Sequence, residues 1–528
     1  MSAESTGARD SSRPTALALL FYRWSERKLA FRLIWALLSF SISQSCGPHR
    51  ICSIHLVLKI ALIHYHLGAG GVTKVISAQA KSLLQMGWEP LVLSAGPTPR
   101  DLPHRSVPLL NYLETPPTEH PELYQILLAE CIKHWGAPPD LWHIHNHSLG
   151  KNILFPQLIQ QIANSLSPLI LQPHDFAEDN RARNYDLIRG QRLYPTAPQI
   201  HYAFVNSRDQ SNLENTGLPV ENSHLLPNII APPALSQEPQ TNTKSLVLYP
   251  VRGIRRKNIG ETVLLAALAP ASTRFAISLA PSNPVWQDIY QTWQDFAHTH
   301  RIPVQFSVVD QVSPSEGSPT DFRSWLQEST HLLTTSISEG FGLTFLEPIA
   351  LNKPLLGRDL PEITRDFRNQ GINPGSLYQS IPASLHLLDQ EALRKNFEQS
   401  LQQSYRHYRY TLTAGELDDN WKLLTAGGKI DFGVLPEAFQ QELIERELTE
   451  PESLFPDLKN WLAKALTETQ NTNPIEKLHA YSSEQAQTNL RDLYESATST
   501  PRITPTWLCN EEVLTRYLSP QQFHILSS

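Results

Sequence analysis

The sequence predicts an α/β protein of two Rossmann-like domains facing a central cleft, with a helical C-terminal extension. Three observations predict it. Short, almost wholly apolar runs recur with helical patterns between them, as in parallel sheets. The alternation occurs twice, on either side of a polar run from Ser236 to Lys244. The 528 residues also exceed the size at which one core usually stops growing.

Composition narrows the function classes. Hydrophobic content of 41% with 18% charged residues is that of a soluble globular chain. A net charge of −7 gives no global basic field, which argues against nucleic acid as the main partner. Forty-one prolines against 23 glycines point to defined loops and firm helix stops. Cys46, Cys52, Cys131 and Cys509 form no CxxC pair or disulfide framework, so a reducing compartment, the cytoplasm, is expected. No run supplies the roughly 20 apolar residues that span a bilayer, so membrane contact is expected to be peripheral at most.

Residues 1–57 read as a leader. The run Leu33 to Ile42 after Arg27-Lys28 has the form of a signal-peptide core, with a poor cleavage region at Ser43-Gln44-Ser45. A disordered or mis-extended start is the favoured reading, because the domain pattern opens only at Leu58.

The first domain is expected over 58–235. Lys59 to His66 is a strand, Gly68, Gly70 and Gly71 a turn, and Val72 to about Gln85 an amphipathic helix. Glycines at such a turn admit close backbone approach by a ligand, and the helix start offers N–H groups to an anion. Without a GxGxxG spacing, a plain tight turn is the alternative. Asp140 to His147 is a strand with His143, His145 and His147 on one face, the alternation of a metal site but without a fourth ligand at a recognisable spacing. Leu169 to Pro173 runs into His174-Asp175, polar groups where open sheets place their chemistry. Arg181, Arg183, Arg189 and Arg192 read as an anion grip or a solvated helix face.

After the linker, 236–244, the second domain is expected over 245–395. Ser245 to Val251 is a strand, followed by Arg252, Arg255, Arg256 and Lys257 and then a helix. Further strands are expected at Phe275–Leu279, Val304–Val309, His331–Thr335 and Lys353–Gly357. The third of these delivers the stretch Ser338-Glu339-Gly340-Phe341-Gly342-Leu343-Thr344-Phe345-Leu346-Glu347, two carboxylates bracketing a glycine turn. Residues 396–528 read as a helical extension, and 395–470 carries no recognisable chemistry.

Arg252 and Lys257 five residues apart after a strand, with Glu339 and Glu347 on a later loop, resemble the family 4 retaining glycosyltransferases of GT-B fold. Gly70-Gly71-Val72, His174-Asp175, Pro227-Asn228, Leu360-Pro361-Glu362-Ile363 and Tyr481 through Tyr494 match that pattern in order. The likeness covers about 58–390 and the late helix, which the family uses to cross back to its first domain.

The resemblance implies a donor that is a nucleoside-diphosphate sugar, UDP- or GDP-linked, and no cofactor. Fixed cations at Arg252 and Lys257 suit a leaving diphosphate whose charge grows in the transition state. Glu339 is implied to face the donor sugar, with His174 lining the site from the first domain. Backbone groups at Gly70, Gly71, Gly340, Phe341, Gly342 and Leu343 are implied to bind the donor, and Glu347 its ribose diol. Thr344 to Glu347 also fits a helix capping box, which would give Glu347 a structural duty instead. No Asp-x-Asp occurs, so no metal is expected at the diphosphate. The acceptor, whether small molecule, glycan or lipid-linked, is not legible. The alternatives are a catalytically inactive binding subunit, or an epimerase or phosphorylase on the same fold.

Overall fold

The computed structural model describes residues 57–68, 70–97, 101–115, 117, 122–230, 245–309 and 321–518. The linker expected at 236–244 and, apart from Val57, the expected leader lie outside the described residues. The described residues belong to one compact unit beginning at Val57.

Seven strands form the first sheet: β1 (Lys59–His66), β2 (Glu89–Ala95), β3 (His104–Ser106), β4 (Leu141–His145), β5 (Leu169–Gln172), β6 (Ile200–Phe204) and β7 (Ser223–Leu225). Their order is β3-β2-β1-β4-β5-β6-β7, all parallel. In β1, Ile60 and Leu62 join one apolar cluster while Ala61, Ile63 and Tyr65 join another on the opposite face. A strand covered on both faces needs apolar residues at every position, which is why it reads as a continuous run. Helix α1 (Gly71–Gln85) follows β1.

The second sheet contains β8 (Ser245–Arg252), β9 (Thr273–Leu279), β10 (Val304–Gln305), β11 (His331–Thr334), β12 (Leu355–Arg358) and β13 (Ser376–Tyr378). Its order β10-β9-β8-β11-β12-β13 repeats that of the first, again all parallel. The strand expected at Val304–Val309 stops at Gln305, and Ser307 adopts a left-handed φ of 53° that ends extension. Helix α2 (Ile259–Leu268) follows β8, and α3 (Leu343–Ala350) follows β11.

The C-terminal part contains α4 (Gln390–His407), α5 (Glu437–Thr449), α6 (Pro456–Ala465), α7 (Ser483–Ser499) and α8 (Asn510–Tyr517). Within 395–470, unassigned by sequence pattern, the part from Ile430 to Ala465 joins the second domain's core. Leu443 and Ile444 of α5 and Leu458 and Leu462 of α6 bury in one cluster with Val263 and Leu264 of α2. Each such side chain contributes roughly 1.5–3 kcal/mol by leaving water. At the end of α4 the chain reaches the first domain: the Tyr408 hydroxyl donates to Ala177 O at 3.1 Å and accepts from Arg181 N–H at 2.9 Å.

A second crossing lies at Ser482, whose side chain caps α7. Leu478 and Tyr481 before it pack in the second domain with Phe341 and Phe367, whereas Leu490, Leu493 and Tyr494 after it pack beneath the first sheet. Both crossings brace the cleft between the sheets. Among the described residues, no helix is long and apolar enough to cross a membrane.

Candidate active site

The C-terminal ends of β1, β5, β8 and β11 converge on an open cavity of about 330 Å³, where doubly wound sheets place their ligands. His174 and Asp175 line it from the first domain, and Arg256, Lys257, Glu339 and Gly340 from the second. A neighbouring pocket shares Gly71, Asn228, Leu343 and Glu347 with it.

Glu339 is the electrostatic centre. Its carboxylate accepts from Lys257 Nζ, and from Arg256 Nη1 at 3.2 Å. Burial alone would push this carboxyl up, but the ammonium and guanidinium outweigh it and hold its pKa at about 2. Burial lowers the pKa of Lys257, against the attraction of Glu339. The site thus holds two cations around one carboxylate at the ends of β8 and β11.

The backbone around Glu339 is shaped by two glycines. Gly342 has φ 86° and caps α3, and a Cβ there would meet Ile363 and Phe345 at 2.8 Å. Gly340 sits so close to the first domain that a Cβ would lie 3.1 Å from His174 O. Asn206 Nδ2 donates to Gly340 O at 2.7 Å, and Ser207 N–H donates to Asp366 at 2.7 Å, so the domains touch directly here. The Phe341 ring packs with Phe367 and Tyr481.

Glu347 does not cap its helix. With Gly342 at the cap and no side-chain cap bond, Glu347 lies inside α3 rather than at the capping-box position. Its carboxylate lines both cavities with no hydrogen-bond partner among the described residues, and burial raises its pKa against the pull of Lys74. A half-buried acceptor with no partner among the described residues is suited to a ligand hydroxyl.

The structure also divides the residues singled out by sequence. Gly71, Gly340, Phe341, Gly342, Leu343, Glu347, Lys257, Glu339 and His174 line the cavity. Gly70 is exposed at the start of α1 and does not line it. Arg252 is exposed at the end of β8 and does not line it either, whereas Arg256 does. Sequence spacing could not separate the cations of Arg255-Arg256-Lys257. Their 3₁₀ turn sends Arg255 to Glu437 and the other two to Glu339. Asn228, quoted only as part of a motif, lines both cavities, and its Oδ1 has no partner among the described residues.

The histidines do not form the face that strict alternation predicts. His143 and His145 stack at 4.4 Å, but Asn146 has a left-handed φ of 55° and sends His147 to the other side, against Tyr194 and Tyr202. Among the described residues no group of three or more His, Cys, Asp or Glu is placed to hold a metal ion. His145 Nδ1 instead pairs with His174 Nε2 at 3.0 Å, and His143 Nδ1 with the Tyr494 hydroxyl at 2.5 Å.

Burial holds these imidazoles neutral, with pKa values of about 4 at His64 and about 3 at His143, His147 and His174. Below pH 6.5 the unfolded chain protonates first, so stability present above pH 6.5 is lost as pH falls, ~1.4 kcal/mol per unit for each histidine. Burial pushes Glu178 up to about 7, which works the other way, because the folded carboxyl keeps its proton to higher pH. Between pH 7.5 and 5.5 these histidines, with His145 and His201 lowered by burial in the same sense, remove stability and Glu178 returns part of it, a net loss on the order of a few kcal/mol. Urea denaturation at the two pH values measures this directly. Equal stability would contradict the burial of neutral imidazoles.

No protein-family model matches the chain. Over 443 residues it is 26% identical to the mannosylglucosyl-3-phosphoglycerate synthase of Petrotoga mobilis, spanning 75% of this chain and 82% of that protein. Among solved structures it is similar to a glycosyltransferase from Rickettsia africae, with TM-score 0.47 and 13% identity over 85% of this chain and all of that one. It is also similar to HepE of Anabaena in complex with UDP and glucose, with TM-score 0.45 and 12% identity over 82% of this chain and 98% of that one.

Proposed function

We propose that this chain, a glycosyltransferase of GT-B architecture, transfers a hexose with retention of configuration from a nucleoside-diphosphate sugar to an acceptor hydroxyl. The observation that carries the reading is Glu339 clasped by Lys257 and Arg256, facing His174 across the cleft.

The donor diphosphate enters beside Lys257, Arg256 and the first-turn N–H groups of α3. These groups stabilise the charge that grows as the sugar C1–O(phosphate) bond breaks. The new C1–O(acceptor) bond forms on the same face, and the acceptor's proton passes to the departing phosphate oxygen. This route needs no protein general base, which suits His174, a neutral imidazole whose pKa of about 3 makes it a poor one. Its role is to line the sugar site, with its ring fixed by His145. Positive side chains and N–H groups take the place of a metal. We assign the diphosphate-facing guanidinium to Arg256 rather than Arg252, because Arg256 lines the cavity. Glu347 takes the ribose diol. We place the protein in the cytoplasm, on its sparse cysteine usage.

A panel of UDP-, GDP- and ADP-hexoses, with and without EDTA, tests the function by mass spectrometry of the products. The Petrotoga relative is named for mannosylglucosyl-3-phosphoglycerate, so a mannosyl donor with glucosyl-3-phosphoglycerate is one arm. Transfer that survives EDTA is expected. Turnover without an acceptor, a strict need for inorganic phosphate, or nucleotide binding without transfer would sink the reading. Replacing Glu347 with glutamine or alanine is expected to raise the donor KM about tenfold, the worth of a charge-assisted hydrogen bond, with kcat within about threefold. An unchanged KM would remove Glu347 from the ribose.

A further inference from the structure

We propose that α5, in the stretch outside the family pattern, is a clamp that positions the cation turn for catalysis through Glu437 and Gln440. The turn Arg255–Lys257 joins β8 to α2 and carries the two cations of the site. Helix α5 grips it at both ends. On one side Glu437 takes a two-pronged bond from Arg255, Nε to Oε1 at 2.7 Å and Nη2 to Oε2 at 3.0 Å. On the other, Gln440 Nε2 donates to Asn258 Oδ1 at 3.1 Å and to Phe432 O at 3.0 Å.

Asn258 is the pivot of the turn. It adopts a left-handed φ of 49° between the turn and α2, a conformation asparagine tolerates better than most residues, and its side chain is held by neighbours on both sides. It is buried, and its Nδ2 donates to Glu261 Oε2 at 2.8 Å and to Gly433 O at 3.3 Å. Glu261 is anchored in turn by Arg358, which also binds Asp431 of the same C-terminal stretch through two bonds. Gly260 completes the fit, since a Cβ there would lie 2.0 Å from Gln440 Oε1.

Arg256 and Lys257 therefore project toward Glu339 from a turn whose two flanks are fixed by one helix. A displacement of about 1 Å between a catalytic group and its target can cost on the order of a hundredfold in rate. Glu437 and Gln440 touch no substrate in this account. They are positioning residues.

The inference rests on the donor reading for its catalytic consequence but not for its structural one, so two readouts are used on the full chain. Hydrogen exchange over 253–259 in Glu437→Gln and Gln440→Ala needs no nucleotide and is expected to quicken at 255–258, with the rest of the second domain unchanged. Unchanged exchange in both variants overturns the clamp. Enzymatically, both variants are expected to lose about tenfold in kcat and to bind UDP over UMP, or GDP over GMP, with a smaller preference than the wild type. Exchanging the partners, Arg255→Glu with Glu437→Arg, is expected to recover most of that loss. Faster exchange with wild-type kcat and wild-type diphosphate preference overturns the positioning role. A wild-type protein with no preference for a diphosphate overturns the donor reading instead and leaves the exchange result standing.

Discussion

Replacing Glu339 with glutamine is expected to lower kcat by about 10²–10³ while tightening the binding of free nucleoside diphosphate. The two effects have one cause. The carboxylate neutralises Lys257 and Arg256, and its pKa of about 2 keeps it charged throughout the physiological range. A glutamine has nearly the same volume but no charge, so both cations face an incoming diphosphate without competition. An extra charge-assisted bond to the phosphates is worth about 1.5 kcal/mol, roughly tenfold in affinity. The transition state gains nothing from that, because the same cations already serve it, and it loses the group that faces the donor sugar. Ground-state binding improves because the carboxylate no longer competes for the cations, while kcat falls because an interaction specific to the transition state is removed. Alanine goes further, leaving two cations around a void. Thermal unfolding of both variants, read beside kcat and nucleotide affinity, separates the chemical effect from damage to the fold. A folded Glu339→Gln protein with wild-type kcat removes Glu339 from the mechanism.

Lys257→Ala is expected to cost a comparable 10²–10³ in kcat, but with weaker diphosphate binding. Losing the ammonium leaves Glu339 with Arg256 alone, at 3.2 Å, so the carboxylate stays charged and now repels the phosphates. Affinity for a nucleoside diphosphate falls, whereas affinity for the nucleoside itself changes little, because Lys257 touches only the phosphate end in this account. Lys257→Arg is not expected to rescue the loss. The ammonium sits in a space only 12% exposed, already bordered by the Arg256 guanidinium. A forked side chain is larger and its geometry differs from that of a point charge. Steady-state kinetics and calorimetry with diphosphate, monophosphate and nucleoside read these differences. Equal loss of affinity for all three would place Lys257 elsewhere than at the phosphates.

The opposite signs of the two nucleotide affinities make the pair more informative than either variant alone. Both residues share one ion pair, and a purely structural role would shift both affinities the same way. The contrast follows from electrostatics alone, carboxylate against cation, around one anion.

Much of this arrangement was legible in the sequence because it depends on local pattern. Strands such as β1 and β8 are apolar at nearly every position, since both faces are covered, and such runs stand out in a sequence. Gly340 and Gly342 announced a backbone that a side chain would obstruct, and contacts with His174 O and with Ile363 explain both. What was not legible depended on contacts between distant segments. The apolar residues of α5 and α6 read as helices with no partner, because Val263 and Leu264 lie some 180 residues earlier. His147 left its expected face through one left-handed residue, Asn146, which alternation cannot foresee. Arg256 was hidden among three consecutive cations whose turn, rather than their spacing, decides which of them face the cleft. Glu347 matched a capping box, and only the helix start set by Gly342 freed its carboxylate from that duty.

The configuration of the transferred sugar tests the central claim most directly. Once the donor panel has identified the nucleotide sugar, proton NMR of the first product formed reports the anomeric configuration at C1. The account predicts that an α-linked donor gives an α-linked product, with the Glu339→Gln protein giving the same product far more slowly. A β-linked first product would contradict it, because inversion needs attack from the opposite face and a protein base that this cleft has not been assigned.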